Sequence, residues 1–172
     1  MRRSAPRVSS SSSRMRSRGL TLIELLVTLV ILSILAAAAM PYAEITVRRN
    51  KEIELHRALR EIRGAVDAFH EDWTAGRMAK TGDAVSEDGY PKSLQTLVDG
   101  VDMGGAKGGK RYYLRRVPRD PFAAAPGSPT EQWVLRSYQD EPDSLVWGGK
   151  DVYDVRSAAE NVAIDGTRYK DW

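Results

Sequence analysis

The feature that most constrains this chain is a run of 19 residues without a charged side chain, between Glu24 and Glu44. A helix needs roughly 20 predominantly apolar residues to cross the hydrocarbon core of a bilayer. Residues 1–19, upstream of the run, hold six arginines and no acid, and basic residues mark the cytoplasmic side of a membrane helix. The sequence therefore predicts a membrane-spanning helix whose N-terminal side faces the cytoplasm.

The same arginines decide how the net charge of +3 is interpreted. Without the Arg- and Ser-rich residues 1–19, the chain holds 20 basic and 23 acidic residues, a net charge of −3. The basic character belongs to a leader, so it gives no support to nucleic-acid binding. The absence of cysteine excludes disulfides, cysteine zinc sites and a thiol nucleophile. No nucleophile–base set stands out, and His56 and His70 are interpreted as surface residues.

A second helical pattern follows the apolar run. Large apolar residues recur at steps of four and three, which places them in one stripe on a helix; they are Leu55, Leu59, Ile62, Val66, Phe69 and Trp73. Between Ile45 and Trp73 only Gly64 disfavours a helix, by about 1 kcal/mol relative to alanine. One helix is therefore predicted from about Leu20 to about Trp73, with a first half suited to lipid and a second half suited to a protein core.

From Thr74 onward, glycine, proline and aspartate separate short apolar runs. They predict a short helix after Pro91 and four strands, at 112–117, 133–138, 145–147 and 152–155. The fold class is α+β, and the small core needs the apolar face of the long helix to complete it. The predicted organisation is a leader (1–19), a transmembrane half-helix (20–43), an amphipathic half-helix (44–73) and a globular domain (74–172).

The most specific motif lies where the leader meets the apolar run. Gly19 and Leu20 are followed by Glu24 inside the apolar segment. An acid at the centre of a membrane helix costs about 2.5–3.5 kcal/mol. An ordinary secretory signal, cut near residues 36–39, and a plain signal anchor both leave that carboxylate unexplained. The third interpretation is a leader that is cleaved after glycine, followed by a buried glutamate that needs a partner.

On these residues, positions 1–47 resemble the class III signal of type IV pilins and pseudopilins. That family has a basic leader, a cut after glycine, glutamate at the fifth mature position and a proline further along the helix, here Pro41. Its first mature residue is usually phenylalanine, which Leu20 replaces. The resemblance implies cleavage between Gly19 and Leu20, N-methylation of Leu20, and Glu24 as the assembly residue. Pairing of the freed Leu20 ammonium with Glu24, within one helix or between subunits, would offset the cost of burying both charges.

The C-terminal region resembles the major pseudopilin of type II secretion systems. The resemblance is carried by Gly89-Tyr90-Pro91, by Leu94 and Leu97, by the segment 113–122 and by Asp151-Val152-Tyr153-Asp154-Val155. Its more selective part is the order of leucine, proline, aspartate-proline and aromatic residues at 114–122. It implies a pilin-like fold, in which one long N-terminal helix, its first half transmembrane, packs on a small antiparallel sheet. It also implies a structural subunit, not an enzyme, of the periplasmic pseudopilus that drives folded proteins across the outer membrane.

The partners implied are further copies of this chain, minor pseudopilins, a prepilin peptidase and N-methyltransferase, an inner-membrane assembly platform and a cytoplasmic ATPase. The implied location is the inner membrane, as a single-pass protein with a periplasmic C-terminal domain, and then a periplasmic filament. Two alternatives stay open. One is a type IV pilin subunit for adhesion, motility or DNA uptake, and the other is a soluble periplasmic binding or catalytic protein behind an ordinary signal peptide.

Calcium is the one cofactor that the resemblance implies, in the loop from Asp154 to Trp172. Calcium prefers oxygen ligands, and this loop offers them at Asp154, Ser157, Glu160, Asp165 and Asp171. The alanine, valine and isoleucine residues between them favour packing instead. The alternative is a turn closed by hydrogen bonds and by Trp172.

Overall fold

A computed structural model describes residues 20–79, 83–105, 108–123, 127–144 and 146–172, with only the backbone of Met40 and Pro41. The leader lies outside the described residues. The first element is a single helix, α1, of 53 residues at Leu22–Thr74, which confirms the helix predicted from about Leu20 to about Trp73. It begins where the Thr21 hydroxyl accepts a hydrogen bond from the backbone N–H of Glu24 at 3.2 Å, because such a contact satisfies an otherwise unpaired N–H of the first turn.

The chain divides into two compact units, one ending at Ala43 and the other running from Glu44 to Trp172. In the first unit, every side chain from Leu20 to Ala39 is exposed, and most of these residues are apolar. This half of α1 is long and apolar enough to cross a membrane. No described residue of this unit covers its apolar surface, as expected for a segment that lies in lipid or packs against other helices.

The second unit has its own core, in which the second half of α1 forms one side. Every residue of the predicted stripe except the last is buried, from Leu55 to Phe69. The prediction was wrong for the last residue of the stripe. Trp73 remains 40% exposed, whereas Asp72 is fully buried and takes the final inward position. The core is completed by residues from the rest of the unit, among them Leu94, Leu97, Leu114, Val117, Trp133, Val152, Val155 and Tyr169.

Within the described residues, four short strands form two antiparallel sheets of two strands each. Strands β1 (Val101–Asp102) and β2 (Lys110–Arg111) pair through Val101 with Arg111 and Asp102 with Lys110. Strands β3 (Trp133–Arg136) and β4 (Asp154–Ser157) pair from Trp133 with Ser157 to Arg136 with Asp154. These sheets and α1 confirm the predicted α+β fold.

Three shorter helices complete the described elements, namely α2 (Leu94–Asp99) and two 3₁₀ turns at Pro129–Gln132 and Tyr169–Asp171. The predicted helix after Pro91 is confirmed by α2, whose N-terminus is capped by Ser93. It ends at Gly100, where φ is 72° and a Cβ atom would lie 2.7 Å from the carbonyl oxygen of Arg111. Glycine is therefore required for β2 to pass this close.

The strand predictions succeeded unevenly. The strand predicted at 133–138 is confirmed over Trp133–Arg136, and that at 152–155 is displaced to Asp154–Ser157. The prediction at 112–117 was wrong, because the N–H groups of Tyr113 and Leu114 both donate to the Leu97 carbonyl and tie this segment to α2. At 145–147, Val146 and Trp147 form no strand, and Leu145 lies outside the described residues.

Candidate processing and assembly segment

The predicted cleavage point lies at the N-terminal edge of the described chain. Gly19 is outside the described residues, whereas Leu20 is described and is 72% exposed. Helix α1 begins two residues after Leu20, with Thr21 as its cap. A cut before Leu20 would therefore leave a free amine next to the first turn of the helix.

Glu24 occupies that first turn. A carboxylate is favourable there because unpaired backbone N–H groups give the N-terminus of a helix a partial positive charge. The Glu24 side chain is exposed and forms no hydrogen bond or ion pair with any described residue. It is therefore free to accept a charged partner. Its role in assembly stays a prediction.

Two hydroxyl side chains in this half of α1 are satisfied within the helix. The Thr28 hydroxyl donates to the carbonyl of Leu25 at 2.8 Å, and the Ser33 hydroxyl donates to the carbonyl of Leu29 at 2.7 Å. Hydroxyls bonded in this way need no water, which suits hydrocarbon. The small side chains at 36–39 follow on the same exposed surface. Glu24 is thus the one residue between Leu20 and Ala43 whose side chain is charged at neutral pH.

A basic leader, an exposed apolar helix and a single acid in its first turn now stand together at one end of the chain. Residues 14–40 match the prokaryotic N-terminal methylation motif. This motif is typical of type IV pilin-like proteins. The match includes Gly19, Leu20 and Glu24, and it ends before the second unit begins. No curated protein and no solved structure matches the chain.

Beyond the apolar segment, two residues of the basic run at 48–51 make contacts within the second unit. The Arg48 guanidinium donates to the hydroxyl of Tyr169 at 3.2 Å and lies 3.7 Å from a carboxylate oxygen of Glu52. The Tyr169 hydroxyl in turn donates to Glu52 at 2.8 Å. Lys51 lies 5.8 Å from the centre of the Phe122 ring. These contacts attach the C-terminal turn to α1.

Two of the predicted calcium ligands are engaged in contacts with other parts of the unit. Asp154 accepts a hydrogen bond from Arg63 at 2.8 Å and lies 3.6 Å from Arg136. The Ser157 hydroxyl is buried and donates to the Asp120 carboxylate at 2.6 Å. The other oxygen of Asp120 accepts from the N–H of Phe122 at 2.8 Å, as expected for an aspartate that fixes the proline turn.

The remaining predicted ligands lie in the C-terminal turn. One oxygen of Asp165 accepts from both the N–H and the hydroxyl of Thr167, and these hydrogen bonds lower the pKa of Asp165. The Trp172 indole donates to the same hydroxyl at 2.7 Å, so the turn is closed by hydrogen bonds and by Trp172. Asp171 pairs with Arg168 at 3.1 Å, and Glu160 is exposed.

No group of three or more histidine, aspartate or glutamate side chains is arranged to hold a metal in the described part of the chain. The five predicted ligands are not brought together around one point. Calcium binding by this loop stays a prediction.

A buried charge cluster at the end of α1 was not foreseen. Asp72 accepts hydrogen bonds from Arg77 at 2.6 Å, from Arg111 at 2.9 Å and from the hydroxyl of Tyr113 at 2.6 Å. Burial by itself raises the pKa of Asp72, but the hydrogen bonds from Tyr113 and Arg77 and the two positive charges outweigh it and lower the pKa. Helical spacing could have predicted its burial, because Asp72 lies three residues after Phe69 and so falls on the same face as the apolar stripe.

The two histidines differ in their surroundings. His56 is exposed, as predicted, and stacks on Trp172 with ring centres 3.9 Å apart. His70 was wrongly placed at the surface, since it is half-buried and stacks on Tyr90 with ring centres 4.2 Å apart. Its Nδ1 lies 3.3 Å from the carbonyl oxygen of Gly89. Both rings serve packing between α1 and later segments.

Proposed function

We propose that this chain is cut between Gly19 and Leu20, N-methylated at Leu20, and assembled into a periplasmic filament as the major pseudopilin of a type II secretion system. The observation that carries the proposal is the match of residues 14–40 to the N-terminal methylation motif. The match falls on the exposed apolar half of α1, which contains one acid in its first turn. The methylation motif implies processing by a prepilin peptidase and pilus-like assembly.

The assembly mechanism follows from the charge of that segment. Before assembly, the exposed side chains of the first half of α1 lie in lipid. In a filament they pack on the same half of neighbouring subunits, with small residues allowing close approach. Lipid and helix are similarly apolar, so such packing alone specifies register poorly. An ion pair between the Leu20 ammonium of one subunit and the Glu24 carboxylate of another forms at one stagger only. Any other stagger would leave both charges buried and unpaired.

The secretion role is the finer part of the proposal, and the resemblance at 113–122 supports it. In the structure, Val117 and Asp120 are buried and the carbonyl of Pro118 accepts from the Trp133 indole at 3.0 Å. This segment therefore organises the core beside α2 and β3. We propose that minor pseudopilins, an inner-membrane assembly platform and a cytoplasmic ATPase are the other partners, with the ATPase supplying the energy for polymerisation.

Deletion of the gene tests the secretion role against the pilin role. We expect exported proteins to accumulate folded in the periplasm, surface appendages to be unchanged, and the wild-type chain to restore export. A complementing Glu24→Leu chain should not restore it. Loss of surface pili, twitching or DNA uptake with normal export would instead identify a type IV pilin.

A further inference from the structure

The second unit contains a groove of about 1090 Å³ beside α1. Glu54, Arg57 and Glu61 line the side formed by α1, and Arg115, Arg116 and Arg119 line the facing side, so four arginines face two glutamates and the lining is basic overall. Val98, Val117 and Pro118 contribute apolar surface to its lining. We call this surface the basic groove, defined by the three arginines of the facing side and these three apolar residues.

The three arginines of the basic groove have no ion-pair partner among the described residues. Arg115, Arg116 and Arg119 are exposed, and none forms an ion pair or side-chain hydrogen bond with a described residue. By contrast, Arg63 and Arg77 are both ion-paired. Three like charges within five positions repel one another. An anionic partner would relieve that repulsion.

A surface of complementary chemistry follows β3. Glu141 and Asp143 are exposed and form no side-chain hydrogen bond or ion pair with described residues. Val146 is 78% exposed and Trp147 is 38% exposed, with the Trp147 indole held by the carbonyl of Asp151 at 2.7 Å. We call these four residues the acidic loop. It combines two negative charges with apolar side chains, as the basic groove combines positive charges with apolar side chains.

The two surfaces come before and after β3 in the chain. Pro129 and Thr130 line the groove and belong to the 3₁₀ turn that leads into β3, whereas the acidic loop comes after the strand. A strand of four residues extends about 13 Å. The described residues that line the groove include none of the acidic loop. The acidic loop therefore does not occupy the groove of its own chain, and the groove is open to another partner.

We propose that the acidic loop of one copy of this chain docks in the basic groove of the next copy. Two different surfaces that meet head to tail generate an open helical filament, whereas a surface that meets itself closes into a dimer. The inference rests on the proposed function and adds a contact between globular units to the stagger set by Glu24. Paired charges at a partly apolar contact also favour one orientation of neighbouring subunits.

Cysteine cross-linking in the full-length, membrane-assembled protein tests this contact. The sequence has no cysteine, so an introduced pair reports on its own contact alone. We expect the pair Arg116→Cys and Asp143→Cys to give a ladder of disulfide-linked oligomers under oxidation. The matched control is Lys110→Cys with Asp143→Cys, because Lys110 is exposed and does not line the groove. Its ladder should be at least about tenfold weaker, which corresponds to about 1.4 kcal/mol.

Filament imaging of the same cells separates the two proposals. Filaments without a ladder would overturn the docking inference and leave the proposed function intact, whereas the absence of filaments from the wild-type chain would overturn the proposed function. Ladders of equal strength from both pairs, or adducts with other proteins in place of ladders, would also overturn the inference.

Charge reversal gives a second measurement that needs no disulfide. Arg116→Glu with Arg119→Glu should lower filament yield by about tenfold, equivalent to about 1.4 kcal/mol per docking step. Adding Glu141→Arg and Asp143→Arg in the same chain should restore the yield, because the attraction is rebuilt with opposite signs. Failure of the four-residue variant to recover, with both parent pairs folded, would contradict the pairing. Loss of binding to anionic vesicles instead would identify a lipid surface as the occupant.

Discussion

Asp72 lies in the last turn of α1, where the unpaired carbonyl groups disfavour a negative charge. It is nevertheless fully buried, because Arg77, Arg111 and Tyr113 donate hydrogen bonds to its carboxylate. One residue thereby ties the end of α1 to the loop after it and to β2. Glu24, in the first turn of the same helix, has no such partners among the described residues.

The Asp72 cluster predicts a stability that depends on pH. The folded pKa of Asp72 lies below its ordinary value, so its contribution is fully present above the unfolded pKa of about 3.9 and is lost as the pH falls through the folded pKa. Asp72→Asn should lower the free energy of unfolding by about 1–3 kcal/mol at pH 7. Urea titrations of both proteins should show this difference shrinking below pH ~4. A difference that does not change with pH would mean that the carboxylate charge is unimportant there.

Glu24 predicts a phenotype in assembly and not in folding. Glu24→Leu should insert and be processed normally, since it removes a desolvation cost and keeps Gly19. It should form no filaments, because the Leu20 ammonium of the neighbouring subunit would be buried without a partner at a cost of about 3–5 kcal/mol. Glu24→Asp is the matched control, which keeps the charge and shortens its reach, and it should retain partial assembly. Electron microscopy and membrane fractionation measure both effects. Normal filaments from the leucine variant would exclude Glu24 as the residue that sets register.

Glu24 and Asp72 also show which single residues can be recognised as important from the sequence. Glu24 is conspicuous because it stands alone in an apolar run. Asp72 is not, because its partners lie 5, 39 and 41 positions away, at Arg77, Arg111 and Tyr113. Only the folded chain brings them together. The same holds for the arginines of the basic groove, because only the folded chain shows that no described acid pairs with them.

Among the elements, α1 was predictable over its full length and the strands were not. A helix is held by contacts three and four residues apart, so the pattern from Leu55 to Phe69 contains the necessary information. The strands have two to four residues each, and their pairing depends on partners far along the chain. Residues 112–117 have the composition of a strand, but the backbone N–H groups of Tyr113 and Leu114 donate hydrogen bonds to the Leu97 carbonyl and not to a neighbouring strand.

The buried stripe of α1 predicts a sharp difference between neighbouring substitutions. Leu59 is 2% exposed and Ile53 is 59% exposed on the same helix. In a chain that starts at Glu44, Leu59→Asp should lower the free energy of unfolding by more than about 4 kcal/mol, because it buries a charge in the core. The matched Ile53→Asp should change it by less than about 0.5 kcal/mol. Thermal unfolding by circular dichroism distinguishes them, and equal melting temperatures would show that the stripe faces elsewhere.

The C-terminal turn predicts little response to calcium. Asp154, Asp165 and Asp171 already pair with Arg63, Thr167 and Arg168, so adding a chelator should leave the Tm unchanged. A ligand bound to the folded state alone would raise the Tm with its concentration. A rise of many degrees in calcium, abolished in Asp165→Asn, would contradict this expectation and establish the site in this loop.

At the scale of the whole molecule, the chain joins two units with different surfaces. The described side chains before Glu44 are exposed and mostly apolar, and the residues from Glu44 onward enclose a core of their own. Lipid or neighbouring subunits suit the first unit, and water suits the second. A filament of such chains would hold the first units together by apolar packing, while the second units remain available for contacts such as that between the acidic loop and the basic groove.

The measurement that tests the central claim most directly is the N-terminus of the mature chain. Intact-mass analysis and N-terminal sequencing of the protein purified from membranes should find Leu20 first and methylated at its amine. In cells that lack the prepilin peptidase, the leader should be retained. A mature chain that begins after Ala38 or Ala39 would show an ordinary secretory signal and would contradict processing and assembly as a pilin-like subunit.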